Sequence, residues 1–339
     1  MLVNFKYIHI LWKSLRYYSL VKSSNFLRLI FSYVLSVAGF KIIKIGLPTF
    51  ISVEISNFCN LHCPECAVGR NKYSVDEKKH FDFMLFTNLI DQLKPTLTHI
   101  IFYFQGEPFL NNRLTEFVEF AHKSNIFTST STNGQYLTKK IANEIVISGL
   151  DKIIVSIDGA TQEVYEKYRV GGSLNKAIEG INELVNVKNK LNSATPFIEV
   201  QFLVLKSNEH QLKEMKSLAK SLQVEKLAFK TAQLSDFQNG NDFMPFNKKY
   251  SRYEKRKDGK FYLKGSQRNR CWRMSSGAVI NVNGEVLPCC FDKGSDYSFG
   301  NINEKSFADC WHSKKASDFR DGILQKRKQY EMCRNCTSN

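Results

Sequence analysis

Cys59-Asn-Leu-His-Cys63-Pro-Glu-Cys66 is the stretch that decides how this chain of 339 residues is interpreted. Its CxxxCxxC spacing brings three thiols to one point and provides no fourth. A cubic iron–sulfur cluster takes one thiolate per iron, so a three-cysteine loop leaves one iron free for a ligand that is not protein. A zinc knuckle is the alternative, but a structural zinc needs a fourth Cys or His at similarly short range. His62 lies inside the loop and is interpreted as a loop residue.

Outward from this loop, short β-branched runs alternate with amphipathic stretches, which is the pattern of strand–helix units in a parallel sheet. The sequence predicts strands at 50–56, 98–104, 126–131, 152–157, 197–205 and 226–230, and helices that include 113–123 and 174–192. We therefore expect an α/β fold, a partial (β/α)6 TIM-like barrel with its functional residues at the carboxyl ends of the strands. A small cysteine-rich C-terminal domain follows it.

Polar or glycine-bearing turns come directly after four of these strands. The cysteine loop follows the first strand, and the other three turns are Gln105-Gly106-Glu107-Pro108, Ser131-Thr132-Asn133-Gly134 and Ser156-Ile157-Asp158-Gly159. Because the carboxyl ends of parallel strands meet at one edge, the four turns are expected to converge there.

The cysteine spacing resembles the signature of radical S-adenosylmethionine enzymes. The resemblance implies a [4Fe–4S] cluster held by Cys59, Cys63 and Cys66, whose open iron is chelated by the amine and carboxylate of S-adenosylmethionine. It also implies that an electron from the cluster cleaves the sulfonium and gives a 5'-deoxyadenosyl radical. Glu65 stands where the family often has an aromatic residue before the third cysteine.

The resemblance extends to residues that contact the cofactor. Gly106 and Glu107 resemble the family's Gly-Gly-Glu motif, with Gln105 in place of the first glycine. Gly106 is expected to let the backbone approach the cofactor, and Glu107 to accept hydrogen bonds from the methionyl ammonium. A turn that only ends the strand is the alternative.

Weaker expectations concern the ribose and the methionyl carboxylate of the cofactor. Ser and Asn at strand ends are also turn formers, and an arginine at a helix end also interacts with the helix dipole, so purely structural roles stay open. The implied ribose contacts fall on Ser131, Asn133 and Ser156, and the implied carboxylate contact falls on Arg169.

The C-terminal region carries a second set of cysteines. Cys271 and Cys289 flank Gly284 as C-x12-G-x4-C, and Cys333 with Cys336 forms a CxxC pair. The arrangement resembles the SPASM or shorter twitch domains that hold one auxiliary cluster, so two [4Fe–4S] clusters are expected. A structural zinc bound by the same four sulfurs remains an alternative. Residues 281–288 are expected to form a hairpin that brings the first two of these cysteines together.

Two further cysteines need an interpretation. Cys290 adjoins Cys289, and adjacent side chains on a strand face opposite ways, so only one should reach the metal; the Gly284 spacing favours Cys289. Cys310, beside Trp311, is interpreted as a buried thiol. The odd number of cysteines, nine in all, and their metal-like spacing favour a reducing cytoplasm.

The net charge of +16 is concentrated in two segments. Residues 1–50 contain seven Lys/Arg and no Asp/Glu, and residues 248–273 contain eleven Lys/Arg against two Asp/Glu. Basic faces of this kind favour anionic partners, although a solvated face is the alternative. The second segment, which includes Lys255, Arg256 and Lys257, predicts an anionic small molecule or an acidic peptide as substrate.

Residues 26–40 are mostly apolar but too short to span a bilayer. Lys22, Lys41 and Lys44 flank them. The sequence leaves two possibilities for residues 1–45, namely a peripheral contact with the inner face of the membrane or packing on the catalytic domain.

The predicted organisation has four parts: a basic amphipathic segment (1–49), a radical SAM barrel core (50–231), a basic connector (232–270) and a SPASM/twitch-like domain (271–339). We expect a cytoplasmic enzyme that reductively cleaves S-adenosylmethionine and abstracts a hydrogen from a substrate that no residue identifies, with flavodoxin or ferredoxin as reductant. The second interpretation is a non-catalytic iron–sulfur redox sensor or RNA-binding protein. Glu107 argues against it, because a sensor needs no acceptor for a cofactor amine, so nucleic acid is not the expected partner.

Overall fold

The computed structural model describes residues 15–40, 45–70 and 77–337, and one large sheet organises them. The strands are β1 (Phe50–Val53), β2 (His99–Ile101), β3 (Phe127–Thr132), β4 (Lys152–Ser156), β5 (Phe197–Val204), β6 (Lys226–Thr231), β7 (Tyr253–Lys255), β8 (Phe261–Leu263), β9 (Gly277–Ile280) and β10 (Val286–Leu287). The large sheet has the order β10-β9-β1-β2-β3-β4-β5-β6, and β7 pairs with β8 separately.

Helices connect the strands and cover one side of the sheet. They are α1 (Leu20–Val37), α2 (Ala67–Arg70), α3 (Phe83–Leu93), α4 (Leu114–Lys123), α5 (Lys139–Ile147), α6 (Gln162–Glu166), α7 (Leu174–Lys190), α8 (Leu212–Ser221), α9 (Arg273–Ser276), α10 (Phe307–Trp311), α11 (Lys314–Lys326) and α12 (Glu331–Arg334).

Strands β1 to β6 are parallel and lie side by side in chain order. The predicted partial (β/α)6 barrel is therefore confirmed, and each of its six strands falls inside or within one residue of its predicted range. Parallel order places the turns after these strands at one edge of the sheet, which is the edge that carries the functional residues in barrels of this kind.

The two faces of the sheet differ in their side chains. Ile100, Phe102, Ile153, Val155 and Phe202 are fully buried in the core between sheet and helices. Since side chains alternate along a strand, the intervening positions point to the other face. The pairing register places polar residues there on neighbouring strands, namely Ser52, His99, Ser129, Ser131, Lys152, Ser156, Glu199 and Gln201. The barrel interior therefore carries many polar side chains, among apolar ones such as Ile101, Phe127 and Ile154.

The C-terminal region continues the sheet rather than standing apart from it. β9 pairs in parallel with β1, and β10 returns antiparallel to β9. The predicted hairpin is confirmed, with Gly284 at φ 84°, a conformation that favours glycine. The Glu54 carboxylate, at the end of β1, accepts a hydrogen bond of 3.0 Å from the Val282 backbone N–H. The domain boundaries stay a prediction, but the sheet crosses the one proposed at 270/271.

The basic connector contains the β7–β8 hairpin, which is tied to both neighbouring regions. Tyr253 is buried, and its hydroxyl donates to Asn335 Oδ1 at 2.7 Å and accepts from the Leu234 backbone N–H at 2.9 Å. Lys255 and Arg256 on the same hairpin are exposed. The connector therefore holds a basic hairpin at a fixed position between the barrel core and the last cysteines.

Helix α1 and the turn before it pack on the barrel core at the amino ends of the strands. The Tyr17 hydroxyl donates to Asp151 Oδ1 at 2.7 Å, and Lys22 Nζ donates to the Asn125 carbonyl at 2.6 Å. Asp151 precedes β4 and Asn125 precedes β3. Packing on the catalytic core is thus observed; residues 1–14 and 41–44 lie outside the described residues. Through the described part of the chain, no helix combines the length and apolar character needed to cross a bilayer.

Candidate active site

The three-cysteine loop lies between β1 and α2, at the carboxyl edge of the sheet. It folds tightly, since the Cys66 N–H donates to the Cys63 carbonyl at 3.1 Å and the Arg70 N–H donates to the Cys66 carbonyl at 3.0 Å. Gly69 is required for this closeness, because a Cβ on it would lie 2.6 Å from the Cys63 oxygen. Cys63 is buried, Cys59 and Cys66 are half-buried, and all three are free thiols.

Hydrogen-bond donors point at the sulfurs of this loop. The Leu61 backbone N–H lies 3.4 Å from Cys59 Sγ, and Asn133 Nδ2 lies 3.6 Å from the same atom. An Arg169 guanidinium nitrogen lies 3.9 Å from Cys63 Sγ. Thiolate is the form of cysteine that binds iron, and donors of this kind stabilise it.

Without a metal, Cys59 and Cys63 are protonated at neutral pH. Burial raises the pKa of Cys59 to about 12, and burial is also the largest cause of the upward shift in the pKa of Cys63. Iron must therefore displace protons from the loop, as is usual when metal binding and ligand deprotonation are coupled.

Glu107 joins the second and third turns to each other. Its carboxylate accepts hydrogen bonds from the Thr132 hydroxyl at 2.8 Å and from the backbone N–H groups of Asn133 at 2.8 Å and Phe109 at 3.2 Å. The residue is 3% exposed, and burial raises its pKa to about 7. Three donors on two oxygens leave capacity for one more hydrogen bond, which is what a cofactor ammonium would need.

Gly106 serves a close approach within the protein. A Cβ there would lie 2.0 Å from the Ser56 carbonyl oxygen and 2.7 Å from that of Phe58, so only glycine lets this turn press against the start of the cysteine loop. The Glu107 N–H completes the contact by donating to the Phe58 carbonyl at 2.9 Å. The expected approach of Gly106 to the cofactor stays a prediction.

Arg169 lies beside the cysteine loop as half of a buried ion pair. Its Nε donates to Asp158 Oδ2 at 2.6 Å, and Asp158 Oδ1 accepts from the Leu203 backbone N–H at 2.6 Å. Burial lowers and Asp158 raises the pKa of Arg169, and the net shift is upward. The guanidinium is thus permanently charged, and its N–H groups that bond neither to Asp158 nor to Cys63 can serve an anion beside the loop.

The three expected ribose contacts differ in their surroundings. Ser131 and Ser156 are half-buried on the polar face of the sheet, on neighbouring strands. Asn133 is buried, and its amide nitrogen donates to Asn60 Oδ1 at 2.9 Å as well as toward Cys59, so its side chain supports the cysteine loop. The two serines are better placed for a sugar hydroxyl than the asparagine is.

The four C-terminal cysteines of the predicted set line one cavity. Cys271, Cys289, Cys333 and Cys336 share it with apolar side chains such as Phe319 and Ile323. Cys290 does not line it, and its Sγ instead accepts a hydrogen bond of 2.9 Å from Arg273. Cys310 is buried in α10, away from the cavity. The ligand assignment remains a prediction, and the placement of Cys289 agrees with it.

The residues around this cavity fit an anionic metal group. The Arg327 guanidinium is 1% exposed and donates to Cys336 Sγ at 3.3 Å, while its Nε has no hydrogen-bond partner in the described part of the chain. A buried cation beside four thiols is stabilised when those thiols are ionised and hold a cluster. Soft thiolate donors are also the ligands that iron–sulfur clusters take.

Sequence reasoning did not identify several of these residues. Asp158 lies in the turn Ser156-Ile157-Asp158-Gly159, but its ion pair with Arg169 and its hydrogen bond from Leu203 in β5 could not be predicted from that turn. Arg327 has no motif around it. Glu65, noted only as a departure from the family, accepts hydrogen bonds from the Ser235 N–H at 2.7 Å and from the Asn241 amide at 3.0 Å. It therefore fastens the connector to the cysteine loop.

Comparison with known proteins agrees with this geometry. Residues 53–217 match the family model of the radical SAM superfamily. Residues 271–337 match the model of SPASM, an iron–sulfur cluster-binding domain. The two matches cover the two cysteine sets separately.

Among individual relatives, the tungsten-containing aldehyde ferredoxin oxidoreductase cofactor-modifying protein of Pyrococcus furiosus is 27% identical over 318 residues, covering 85% of this chain and 87% of the relative. The S-adenosyl-L-methionine-dependent 2-deoxy-scyllo-inosamine dehydrogenase of Niallia circulans is 25% identical over 297 residues, covering 86% and 93%. Streptococcus suis SuiB, in a crystal structure with S-adenosylmethionine bound, shares the fold at a TM-score of 0.60 and 13% identity, covering 90% of this chain and 75% of that one.

The chain belongs to the radical SAM superfamily and carries a C-terminal iron–sulfur cluster-binding domain of the SPASM type. It is an oxidoreductase or modifying enzyme of that superfamily, not a non-catalytic sensor. Its cofactors are S-adenosylmethionine, the [4Fe–4S] cluster of the superfamily and a further iron–sulfur cluster in the C-terminal region.

Proposed function

We propose that this enzyme reductively cleaves S-adenosylmethionine at the three-cysteine loop and abstracts a hydrogen atom from a substrate bound between the barrel rim and the C-terminal region. The observation that carries this proposal is the loop itself, with three thiols, N–H donors aimed at two of the sulfurs, and the charged Arg169 next to Cys63. A structural metal site with four protein ligands would leave no coordination position open for another molecule beside Arg169.

The cofactors supply the electron transfer and the bond cleavage, and the protein supplies binding and orientation. In this proposal Cys59, Cys63 and Cys66 hold the cluster as thiolates. Arg169 pairs with the methionyl carboxylate through the guanidinium N–H groups that Asp158 does not use. Glu107 accepts from the methionyl ammonium.

The remaining contacts concern the nucleoside and the second cluster. Ser131 and Ser156 present hydroxyl groups for the ribose on the polar face of the sheet, with Asn133 behind them in contact with the cysteine loop. The auxiliary cluster, bound by Cys271, Cys289, Cys333 and Cys336, takes an electron from the substrate radical, orients the substrate or forms an electron path. The C-terminal cavity supports the binding of this cluster and does not choose among the three roles.

The substrate is proposed to be an anionic small molecule or an acidic peptide. The exposed hairpin β7–β8 carries Lys255 and Arg256, and the connector that bears it is fastened to the cysteine loop through Glu65. A positive surface beside the site raises the local concentration of an anion. Replacing Lys255, Arg256 and Lys257 with glutamine should weaken the salt dependence of turnover, and unchanged salt dependence would count against an anionic substrate.

We also propose a reductant of the flavodoxin or ferredoxin kind, because an open cluster needs a one-electron donor. We also propose a cytoplasmic location, because free thiols and iron–sulfur ligation suit a reducing compartment. Residues 1–45 are proposed to hold it at the inner face of the membrane through α1.

The proposed reaction is tested by anaerobic reconstitution with iron and sulfide, followed by S-adenosylmethionine and dithionite. We expect 5'-deoxyadenosine as a product, and about eight irons and eight sulfides per chain. A Cys310→Ala variant, which removes a thiol that we assign no ligand role, serves as control and should keep both properties. A reconstituted protein that forms no 5'-deoxyadenosine would reject the proposed reaction, and zinc in the C-terminal site would reject the auxiliary cluster.

A further inference from the structure

Helix α1 turns its large apolar side chains toward solvent. Leu20 is 91% exposed, Leu27 64%, Phe31 60% and Val34 56%. Their spacing of three, four and seven residues places them on one face of the helix. Exposed apolar side chains continue this surface at and beyond both ends of the helix, namely Leu15, Tyr18, Val21, Val37 and Phe40.

The opposite face of α1 is largely polar and packs on the protein. Its buried residues are Lys22, Asn25, Leu29 and Ser32. The Asn25 side chain donates to the Leu47 carbonyl at 2.8 Å and accepts from the Leu47 N–H at 2.9 Å. A surface helix of a globular protein ordinarily buries its apolar stripe. Here these polar contacts and the packing of Phe26 and Tyr33 against Trp272 fix the helix, while a second set of apolar side chains faces outward.

The charge around this face points to an anionic surface. Residues 1–50 contain seven Lys/Arg and no Asp/Glu, and Arg16 and Arg28 are exposed on or near α1. An amphipathic helix binds a membrane surface when its apolar face enters the boundary between headgroups and acyl chains and basic side chains meet anionic lipids. At 18 residues, α1 is about 27 Å long and would lie flat in that boundary.

The position of α1 determines how a bound molecule would be oriented. The contacts of α1 and of the turn before it include Leu47, Asn125, Asp151 and Trp272, which precede β1, β3, β4 and β9. These are the amino ends of the strands, and the cysteine loop lies at their carboxyl ends. Membrane contact through α1 would therefore leave the candidate active site facing away from the lipid.

We propose that the outward face of α1, centred on Leu20, Leu27, Phe31 and Val34, docks this protein on an anionic lipid surface with its candidate active site open to the aqueous side. This docking does not depend on the proposed reaction, since it uses no residue of either cysteine site.

Flotation of the reconstituted full chain with lipid vesicles tests this docking. We expect the chain to float with vesicles of phosphatidylcholine and phosphatidylglycerol, and less with phosphatidylcholine alone. The triple variant Leu27→Gln, Phe31→Gln and Val34→Gln should lower vesicle partitioning by about 100-fold, because three inserted side chains are lost. The control Met84→Gln with Ile147→Gln removes side chains of similar exposure, 67% and 66%, from α3 and α5 and should float like the parent.

Two further measurements complete the test. The triple variant should melt at the temperature of the parent, because the replaced side chains are exposed, and formation of 5'-deoxyadenosine should continue on vesicles. Absence of flotation with phosphatidylglycerol, or equal flotation of the triple variant, would overturn the proposal. So would a dimer in sedimentation that the triple variant dissociates, because a second protein molecule would then cover the face.

A second and independent inference concerns Arg327, which lies under the C-terminal cysteines. Its guanidinium donates to Cys336 Sγ at 3.3 Å and to the backbone carbonyl of Arg270 at 2.9 Å. A guanidinium keeps its positive charge at every pH at which proteins are folded. Arg327 is 1% exposed, so this charge is buried and in direct contact with a proposed cluster ligand.

A positive charge at this position favours the reduced form of a cluster. Reduction adds one negative charge to the cluster, and a nearby cation stabilises that charge more strongly in a buried site than in water. Hydrogen bonds to the ligand sulfurs act in the same direction. We infer that Arg327 raises the reduction potential of the C-terminal cluster; this inference rests on the proposed assignment of its four cysteine ligands.

A redox titration followed by electron paramagnetic resonance tests the role of Arg327. Arg327→Met and Arg327→Gln should shift the midpoint potential of the C-terminal cluster to more negative values, while Arg327→Lys, which keeps the charge, should stay closer to the parent. Arg334→Met is the matched control, because Arg334 follows Cys333 but is exposed. Its midpoint should not move.

The outcomes separate this inference from the cluster assignment itself. If the parent holds no second cluster, the proposed assignment fails before Arg327 is tested. If the neutral variants carry the cluster at an unchanged midpoint, the role of Arg327 is refuted. If neither neutral variant takes up iron but Arg327→Lys does, the cluster requires the charge, which supports the inference; failure of all three to take up iron would overturn it.

Discussion

Each cysteine site contains one buried arginine, and the two arginines have different partners. Arg169, beside the three-cysteine loop, forms an ion pair with Asp158 at 2.6 Å. Arg327, beside the C-terminal cysteines, bonds to carbonyl oxygens and to sulfur. Both guanidinium groups approach a ligand sulfur, at 3.9 Å from Cys63 Sγ and 3.3 Å from Cys336 Sγ. Of the two, only Arg169 also forms an ion pair with a carboxylate in the described part of the chain.

This difference bears on the reduction potentials of the two proposed clusters. A cluster that gives an electron to S-adenosylmethionine benefits from surroundings that do not stabilise its reduced form, and the Asp158 carboxylate offsets the effect of Arg169 there. If the auxiliary cluster takes an electron from the substrate radical, which is one of its three proposed roles, the positive charge of Arg327 favours that transfer. We therefore expect the partners of the two arginines to separate the potentials of the two sites.

The largest expected difference between the two sites is in cofactor cleavage. The triple variant Cys59→Ala, Cys63→Ala and Cys66→Ala should lose 5'-deoxyadenosine formation to the protein-free background, because no iron is left to hold the cofactor. The double variant Cys333→Ala and Cys336→Ala should still cleave S-adenosylmethionine. Iron content should fall from about eight to about four per chain in both variants. Equal loss of cleavage in both would remove the functional distinction between the sites.

The second test concerns which adjacent cysteine belongs to the C-terminal site. Cys289→Ala should lower the iron content by about four per chain, because this thiol lines the cavity that it shares with the other three proposed ligands. Cys290→Ala should keep the full iron content, since Cys290 Sγ is bonded to Arg273 outside that cavity. Metal analysis and the absorbance of the reconstituted proteins measure both, and a reversed result would exchange the two assignments.

A third test removes the balancing charge at the first site. Asp158→Asn leaves the buried Arg169 without its carboxylate, which should destabilise the fold by about 3 kcal/mol, the lower range for a broken buried ion pair. Denaturant unfolding of the metal-free chain measures this. The exposed pair Lys314 and Asp318, separated by 2.7 Å, provides the control, and Asp318→Asn should change stability by less than about 0.5 kcal/mol.

The smallest expected effect is on the pH dependence of cofactor binding. Burial raises the pKa of Glu107, at the first site, and of Glu54, at the junction with the C-terminal region, to about 7 in each case. Only ionised Glu107 accepts from the cofactor ammonium, so the Kd for S-adenosylmethionine should rise as pH falls below about 7, by at most about tenfold per pH unit. Glu107→Gln should remove this dependence and Glu54→Gln should leave it.

Calorimetric titration of the reconstituted enzyme with S-adenosylmethionine from about pH 8 to about pH 6 measures these dependences. A pH-independent Kd in the parent would show that Glu107 does not bind the cofactor and only holds the turns beside the cysteine loop together. The stability of the metal-free chain changes in the corresponding window. Both raised pKa values mean that the folded state binds protons more tightly than the unfolded state. The stability that protonated Glu107 and Glu54 contribute is therefore fully present below about pH 4.3 and is lost as pH rises toward about 7.

Much of the barrel followed from the sequence, because parallel strands covered on one face by helices read as short apolar, β-branched runs. The carboxyl-edge turns were found for the same reason, since chain order fixes where they lie. The participation of β9 and β10 in the sheet was not predicted. It depends on pairing between Phe50 and Gly277, and no local pattern marks two segments so far apart as neighbours.

The N-terminal helix shows a different limit of sequence reasoning. Its apolar residues predicted a helix that contacts either a membrane or the barrel core. The sequence could not show which face of the helix would make which contact. The structure shows that Lys22 and Asn25 face the barrel, because carbonyl and amide groups at the amino ends of the strands satisfy them. Leu27 and Phe31 consequently point to solvent.

By itself, the sequence determined the three-thiol loop, because cysteine spacing along the chain fixes how many thiols one loop can bring to a metal. The four C-terminal cysteines come from separate segments, and packing brings them to one cavity. The tertiary structure alone decided the electrostatic surroundings of these thiols. Asp158 reaches Arg169, and Arg327 reaches Cys336, only after the chain has folded. Ligand count is a local, covalent property of the chain, whereas charge compensation depends on distances and burial that only packing sets.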